Sequence, residues 1–306
     1  MSVSATTSRF TGRRASTRRR IRFNDAYLFI APSMIVMALF VVFPILQALW
    51  MSLNDWSFLK PKHTFVGLGN YAEFLNDDRF WNSLKITAIY TLVSVPLQIV
   101  LSVLAALAFH ERIRFVSFFR SVYFFPVISS FAVMAIVWTF LLDPDIGLLS
   151  HWLVQLGIPP VAWLQSTAFA LPAVIFTGIW KTVGFNMVIV LAGLEGISET
   201  YYEAASIDGA GPFSQFWNVT LPGLRQSLVF VTVMAVIASL QVFDQVYVMT
   251  HGGPLFTTET LVTYIYHQGF ELFRMGYAAA ISVALFLLIM IGAVLQLKTL
   301  RYQDVD

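Results

Sequence analysis

Six long apolar runs dominate this chain and limit what it can fold into. They cover 27–50, 86–109, 121–142, 168–194, 226–250 and 275–297, each long enough for the roughly 20 residues that cross a bilayer. None alternates with a period of two, so helices rather than barrel strands follow. With 58% hydrophobic and 12% charged residues, the chain lies far outside the usage of soluble globular domains. Only the fourth and fifth runs carry a formal charge, Lys181 and Asp244. Pro44, Pro96, Pro126 and Pro172 lie inside runs, which membrane helices tolerate where neighbours satisfy the freed carbonyls. The expectation is an all-α membrane protein with six transmembrane helices, one per run.

Charge sets the orientation. Arg9, Arg13, Arg14, Arg18, Arg19, Arg20 and Arg22 precede the first run, and Arg112, Arg114 and Arg120 separate the second from the third. An excess of Lys and Arg marks cytoplasmic segments, so both termini are expected in the cytoplasm. Lys60, Lys62, Arg79, Lys85 and Arg274 then fall outside, with most of the 19 Lys and Arg inside. Residues 1–24 read as a Ser/Thr/Arg-rich arm lying against anionic headgroups, rather than as a nucleic-acid-binding segment. Residues 25–300 read as the transmembrane domain and 301–306 as a cytoplasmic tail. The first run is too long for the apolar core of a cleaved signal peptide and lacks a clean small-residue cleavage site. There is no cysteine, hence no disulfide framework and no thiolate metal site.

Between the fourth and fifth runs lies a polar loop, 195–225. Within it Glu203-Ala204-Ala205-Ser206-Ile207-Asp208-Gly209 leads on to Val219-Thr220-Leu221-Pro222. The alanines favour a short helix, Gly209 supplies a left-handed end to it, and Pro212 suits the first turn of another. Phe213, Phe216 and Trp217 fall at i, i+3 and i+4, one apolar stripe on that second helix. The expected product is a cytoplasmic helix–turn–helix that offers an apolar and acidic knob. The competing reading is an ordinary amphipathic surface turn.

This loop resembles the EAA loop of the membrane subunits of binding-protein-dependent ABC importers, with Val219 where Ile is usual. The stretches VGLGNY (66–71), FRSVYFFP (119–126) and YVMTHGGP (247–254) extend the resemblance over roughly 25–300, to the first of two permeases in maltose-type carbohydrate importers. The resemblance implies the six-helix fold of type I ABC importer permeases, in the cytoplasmic (inner) membrane and surrounded by lipid. It implies a second homologous permease, an extracytoplasmic solute-binding protein, and two ATP-binding subunits that hold ATP and Mg. It implies no cofactor, catalysis or nucleic acid on this chain, and a sugar or oligosaccharide as cargo. Coupling to the ATPases would run through Glu203, Ala204, Ala205, Asp208, Gly209, Phe213, Leu221 and Pro222. The extra N-terminal helices and large periplasmic insertion of the maltose importer's subunit have no counterpart in this reading. Glycerol-3-phosphate or a glycerophosphodiester is the alternative cargo, because Lys181 is able to hold a phosphate. A self-contained secondary carrier would need an inverted repeat or midplane coupling carboxylates, and neither signature is visible.

The chemistry visible in the chain is that of binding. No G-x-x-x-x-G-K-[ST] phosphate loop and no H-E-x-x-H pair occurs, and His63, His110, His151, His251 and His267 are scattered. Asp143 and Asp145 flank Pro144 and read as solvated turn residues. Inside a bilayer an ionisable side chain costs roughly 2.5–3.5 kcal/mol, so it faces a cavity or a partner. Run four carries Lys181, Thr182, Phe185 and Asn186; run five carries Ser239, Gln241 and Asp244. At a rise of about 1.5 Å per residue, Lys181 lies about 20 Å from the outer start of run four, and Gln241 and Asp244 about 14 and 9 Å from the outer end of run five. Those depths allow one translocation cavity. Mixed donors and acceptors beside the flat rings of Trp180, Phe185 and Phe243 suit a hydroxyl-rich cargo. The competing reading is a Lys181–Asp244 ion pair, or hydrogen bonds that only hold helices together.

Overall fold

The computed structural model describes residues 23–59, 62–110 and 115–301. The arginines of the N-terminal arm, Lys60, Arg112, Arg114 and residues 302–306 lie outside the described residues. The chain divides after Gln47. Up to that point it consists of α1 (Phe23–Met37), a π-helical turn (Ala38–Val42) and the start of α2 (Phe43–Ser52). The turn has a local cause: Pro44 cannot donate to the carbonyl four residues back. The helix widens to an i+5 pairing, Phe43 N–H to Ala38 O, which keeps the backbone bonded across the proline.

The unit from Ala48 onward opens with a hairpin, β1 (Asn54–Asp55) and β2 (Thr64–Phe65), antiparallel with Asn54 opposite Phe65. Gly67 takes φ +57° in the turn into α3 (Gly69–Leu75). There the Asn70 amide donates to Ser52 O at 2.8 Å and Asn54 O at 3.0 Å, so the glycine-rich loop is pinned to the end of α2. The next helix, α4 (Asp78–His110), starts at Asp78 rather than 86. Its polar first turns remain helical, with the Asp78 carboxylate at the positive end of the dipole.

Run three is not one helix. It forms α5 (Val116–Ile128) and α6 (Phe131–Leu141), bent by 102°, in place of the single helix that hydropathy predicts over 121–142. Ser129 and Ser130 are extended, at ψ 151° and 144°. Pro126 has already cost the helix a donor, and serine competes with helical bonding. After α6, the Asp143 carboxylate accepts from Asp145 N–H (2.9 Å) and Ile146 N–H (3.0 Å), the expected turn, which leads into α7 (Leu148–Gln155).

At the centre of this unit runs α8 (Ala170–Glu195), most of whose apolar stretch is buried. Gly184 permits the closest approach: a Cβ there would lie 2.2 Å from Tyr123 O on α5. Beyond α8 come α9 (Glu199–Ile207), α10 (Pro212–Gln215), a π turn (Phe216–Thr220), α11 (Leu221–Gly223) and α12 (Arg225–Leu240). Run five also departs from expectation. Instead of one helix over 226–250, α12 stops at Leu240 and α13 (Asp244–Thr250) starts after a non-helical Gln241–Phe243 link. Thr260 Oγ1 donates to the freed Val242 carbonyl at 2.9 Å, so the break is satisfied from outside the helix. The chain closes with α14 (Leu261–Tyr266), a π turn (His267–Glu271) and α15 (Met275–Arg301). Among the described residues four helices are long and apolar enough to span a membrane, and up to six if each of two bent pairs counts as one span.

Three buried clusters hold this unit together. Phe74, Phe80, Leu261, Tyr264, Tyr277 and Ile281 form one. Tyr90, Ala135, Val174, Ile179, Val242 and Val246 form the second, and Val103, Ala106, Met187, Val190, Leu224 and Val231 the third. Between helices in lipid such burial gains packing rather than transfer from water, so polar bonds weigh more. The strongest ties α4 to the segment before α14. Arg79 Nε and NH2 donate to Glu259 Oε2 and Oε1 at 2.8 and 2.7 Å, and the Glu259 side chain is only 2% exposed. Beside it the Asp77 carboxylate accepts from the Tyr264 and Tyr277 hydroxyls. Burial pushes that carboxyl up, but those two bonds and the N–H groups of Arg79 and Phe80 outweigh it and hold it below the ordinary range.

Candidate functional site

The break between α12 and α13 opens a cavity of about 270 Å³. Thr182, Ser239, Gln241 and Asp244, all expected from sequence, line it together with Phe243. Tyr90 and Gln98 from α4, Phe131 from α6, and Gly178 and Gln245 join them. Gly178 makes room for a ring: a Cβ there would lie 2.2 Å from Tyr90 Oη. That hydroxyl accepts from Gln245 Nε2 at 2.7 Å, and the Ser94 and Ser239 hydroxyls pair at 3.2 Å. The lining therefore combines amides, hydroxyls, one carboxylate and flat rings. Among the described residues there is no cluster of metal ligands.

Trp180, Lys181, Phe185 and Asn186, all expected at the cavity, do not line it; Trp180 instead meets Trp138 of α6 edge to face at 5.3 Å. Asn186 lies behind the cavity, its amide 3.5 Å from Gln98 Oε1. Phe185 is about half exposed on another face of α8. Lys181 is buried, at 5% exposure, and its ammonium donates to Pro126 O at 3.0 Å and Val127 O at 3.3 Å. In an unbroken helix those carbonyls would accept from the Ser130 and Phe131 N–H groups; the bend removes both donors. Lys181 replaces them and sets a cation at the negative end of the α5 dipole. Its ammonium also lies 4.5 Å from the centroid of Phe131, a cavity ring. Lys181 thus meets helix carbonyls and not the Asp244 carboxylate, which stays exposed at the cavity.

Sequence reasoning missed the α4 side of the cavity. Tyr90 and Gln98 sit in a run whose other residues are mostly apolar, and an amide in such a run was the available signal. Gly178, Tyr90 and Gln245 act as a set that only the fold brings together.

The second candidate site is the segment from Glu199 to Gly223. Gly209 takes φ +79° just past α9. Ala210 N–H donates to Ala205 O at 2.9 Å and Gly209 N–H to Ser206 O at 3.1 Å, the pairings of a left-handed helix end. Pro212 occupies the first turn of α10. Gln215 Nε2 bridges back to Ser206 Oγ (2.9 Å) and Ala210 O (3.2 Å), and the Tyr202 and Thr220 hydroxyls pair at 3.0 Å. The expected single stripe divides, because the π turn begins at Phe216. Phe216 packs on the third cluster with Leu194 and Leu224, whereas Phe213 and Trp217 face out at 78% and 52% exposure. Glu203, Ala204 and Asp208 are exposed beside them, Ala205 and Leu221 are half-buried, and Pro222 is exposed. The knob is internally cross-bonded and shows its apolar rings to the outside.

Residues 98–298 match the family described as binding-protein-dependent transport system inner membrane component. This chain belongs to that family. It is 33% identical over 288 residues to the trehalose/maltose transport system permease protein of Thermococcus litoralis, covering 93% of this chain and 97% of that one. It is 34% identical over 303 residues to the lactose transport system permease protein of Rhizobium radiobacter, covering 97% and 99%. Its fold matches a chain in the crystal structure of a bacterial alginate ABC transporter in complex with an alginate pentasaccharide-bound periplasmic protein. That match has a TM-score of 0.78 at 21% identity and covers 89% of this chain and 92% of that one. The chain is therefore an inner-membrane permease component of a binding-protein-dependent transport system.

Proposed function

We propose that this chain forms half of the translocation pathway of an ATP-driven importer for a sugar or oligosaccharide. A second homologous permease completes the pathway, a solute-binding protein delivers the cargo from outside, and two ATP-binding subunits hydrolyse ATP below the Glu199–Gly223 knob. In this reading all six spans cross the membrane with both termini cytoplasmic, and Thr182, Ser239, Gln241 and Asp244 meet the cargo. The observation that carries it is the cavity at the α12–α13 break. Its hydroxyls, amides and rings are matched to a ligand of many hydroxyls, and relatives carry the names of trehalose, maltose and lactose systems. The engagement of Lys181 by Pro126 and Val127 favours a neutral cargo over a glycerophosphate, since the buried ammonium already has its partners. The knob would transmit motion by seating Phe213, Trp217 and the small face of Ala204 in an ATPase groove.

The test is reconstitution in proteoliposomes of the chain with its genomic neighbours: the second permease, the ATPase and the binding protein. Sugar uptake that requires both ATP and the binding protein is expected. Uptake by this chain alone, or uptake indifferent to ATP, would overturn the proposal.

A further inference from the structure

Between α13 and α14 the chain carries Thr258-Glu259-Thr260-Leu261, two hydroxyls and a carboxylate in four residues. So polar a run has the composition of an exposed loop, yet these four residues are 0–1% exposed. Such burial is tolerated where each polar group is paired. The partners lie on α4, at the end of α13 and on the link between α12 and α13. Arg79 and Ser83 hold the Glu259 carboxylate, the serine hydroxyl at 3.3 Å. Leu261 N–H donates to Thr87 Oγ1 at 2.8 Å. Thr258 Oγ1 donates to Gly253 O at 2.7 Å and pairs with Thr250 Oγ1 at 2.8 Å. Residues 79, 83 and 87 recur every four positions, so they share one face of α4. That face continues to Tyr90 and Gln98, which line the cavity. One stripe of α4 therefore holds this segment at its start and the cavity wall further on.

Thr260 stands at the N-cap of α14, where a threonine ordinarily accepts from an N–H of the first turn. It makes no such bond. Its oxygen pairs with Thr263 Oγ1 at 3.0 Å, and its proton goes to Val242 O at 2.9 Å. The hydroxyl thus serves the link at 241–243 rather than its own helix. Val242 is buried, whereas Gln241 and Asp244 on either side are exposed at the cavity. Anchoring the carbonyl of Val242 fixes which way its neighbours face. Without the hydroxyl that carbonyl stays buried and unpaired, and it regains a donor when the link winds into helix.

We infer that residues 258–261 form a strap in which Thr260 is a positioning residue for the cavity. It holds the link at 241–243 unwound and turns Gln241 and Asp244 toward the space between the helices, while Arg79, Ser83 and Thr87 fix the strap itself. This role in transport rests on reading the cavity as the cargo site, and the two are separable by experiment.

The chain has no cysteine, so one introduced thiol reports on one position. Gln241→Cys and, on α8 across the cavity, Thr182→Cys are made separately in the assembled transporter, with partner cysteines removed, in lipid nanodiscs without nucleotide. The rate of reaction with a small maleimide is compared with and without Thr260→Val, which keeps the side-chain shape and removes the hydroxyl. Leaving a buried carbonyl unpaired shifts the balance between unwound and helical link by about five- to hundredfold. We expect Thr260→Val to slow the thiol at 241 several-fold, up to that factor, and Thr260→Ser to restore its rate. The thiol at 182 should be unchanged, because α8 runs unbroken past it. An unchanged or faster rate at 241, or equal slowing at both positions, overturns the positioning role. Should Thr260→Val fail to assemble, Thr87→Val, which removes the acceptor of Leu261 N–H, is read by the same criteria. Protection of the thiol at 241 by a panel of neutral oligosaccharides tests the cargo reading separately. Protection by none overturns the sugar reading, while a rate difference confined to 241 still upholds the positioning role.

Discussion

Replacing Lys181 by methionine tests the claim that its ammonium serves the bend in run three. The substitution keeps length and apolar volume but removes the donor to Pro126 O and Val127 O. Each carbonyl stays buried without a partner, at about 1–3 kcal/mol apiece. Loss of the contact with the Phe131 ring adds about 0.5–1 kcal/mol. Against this, methionine spares the chain the desolvation of a charge, which amounts to several kcal/mol. Those losses sum to about 2.5–7 kcal/mol, and a gain of about 3 kcal/mol from the spared desolvation leaves a net loss of up to about 4 kcal/mol. The assay is thermal unfolding of the purified transporter, read as loss of the monodisperse peak, alongside uptake in proteoliposomes. The expected result is a markedly lower midpoint in Lys181→Met, mostly restored in Lys181→Arg, with cargo preference unchanged. A variant as stable as the unaltered protein but altered in cargo preference would refute the reasoning and return Lys181 to the cargo path.

A Cβ at position 209 would meet no atom within 4 Å, so the main cost of Gly209→Val is that of φ +79°, about 1–3 kcal/mol of local strain. It should reach the membrane at normal levels yet lose cargo-stimulated ATPase activity in the assembled transporter, and normal stimulation would show the knob to be a surface turn. Arg79→Met leaves Glu259 buried without its partner and should destabilise by about 3–5 kcal/mol, measured by the same unfolding assay, whereas Arg79→Met with Glu259→Gln should recover much of the loss. The Asp77 carboxyl is held below its ordinary value, so its contribution is complete above about pH 3.9. It should fade as pH falls through the depressed folded value. Asp77→Asn should remove that acid-side dependence from the unfolding profile between neutral and strongly acid pH.

The membrane-spanning character and the short helices on either side of Gly209 were legible because both depend on local pattern. Run length decides whether a helix crosses a bilayer, and Gly209 followed by Pro212 specifies a stop and a start within one short loop. The bends were not legible in the same way. Hydropathy averages over Ser129–Ser130 and over Gln241–Phe243, yet in both places partners distant in sequence, Lys181 for one and Thr260 for the other, offset the cost of breaking the helix. For the same reason the sequence leaves the place of Lys181 open: a charge in a membrane run signals a partner, and the sequence does not say whether that partner is cargo or a carbonyl. The α4 wall of the cavity depends on Gly178 leaving space for Tyr90, a relation across two helices that no spacing within one run encodes.

The most direct measurement of the central claim uses the absence of cysteine from this chain. Gln241→Cys gives one thiol at the cavity, and the assembled transporter, with partner cysteines removed, is labelled in proteoliposomes by a membrane-impermeant maleimide. If the cavity is the pathway of an ATP-driven importer, the side from which the introduced thiol reacts should switch between the nucleotide-free transporter and one trapped with ATP and binding protein. Labelling from the same side at the same rate in both states would contradict the account.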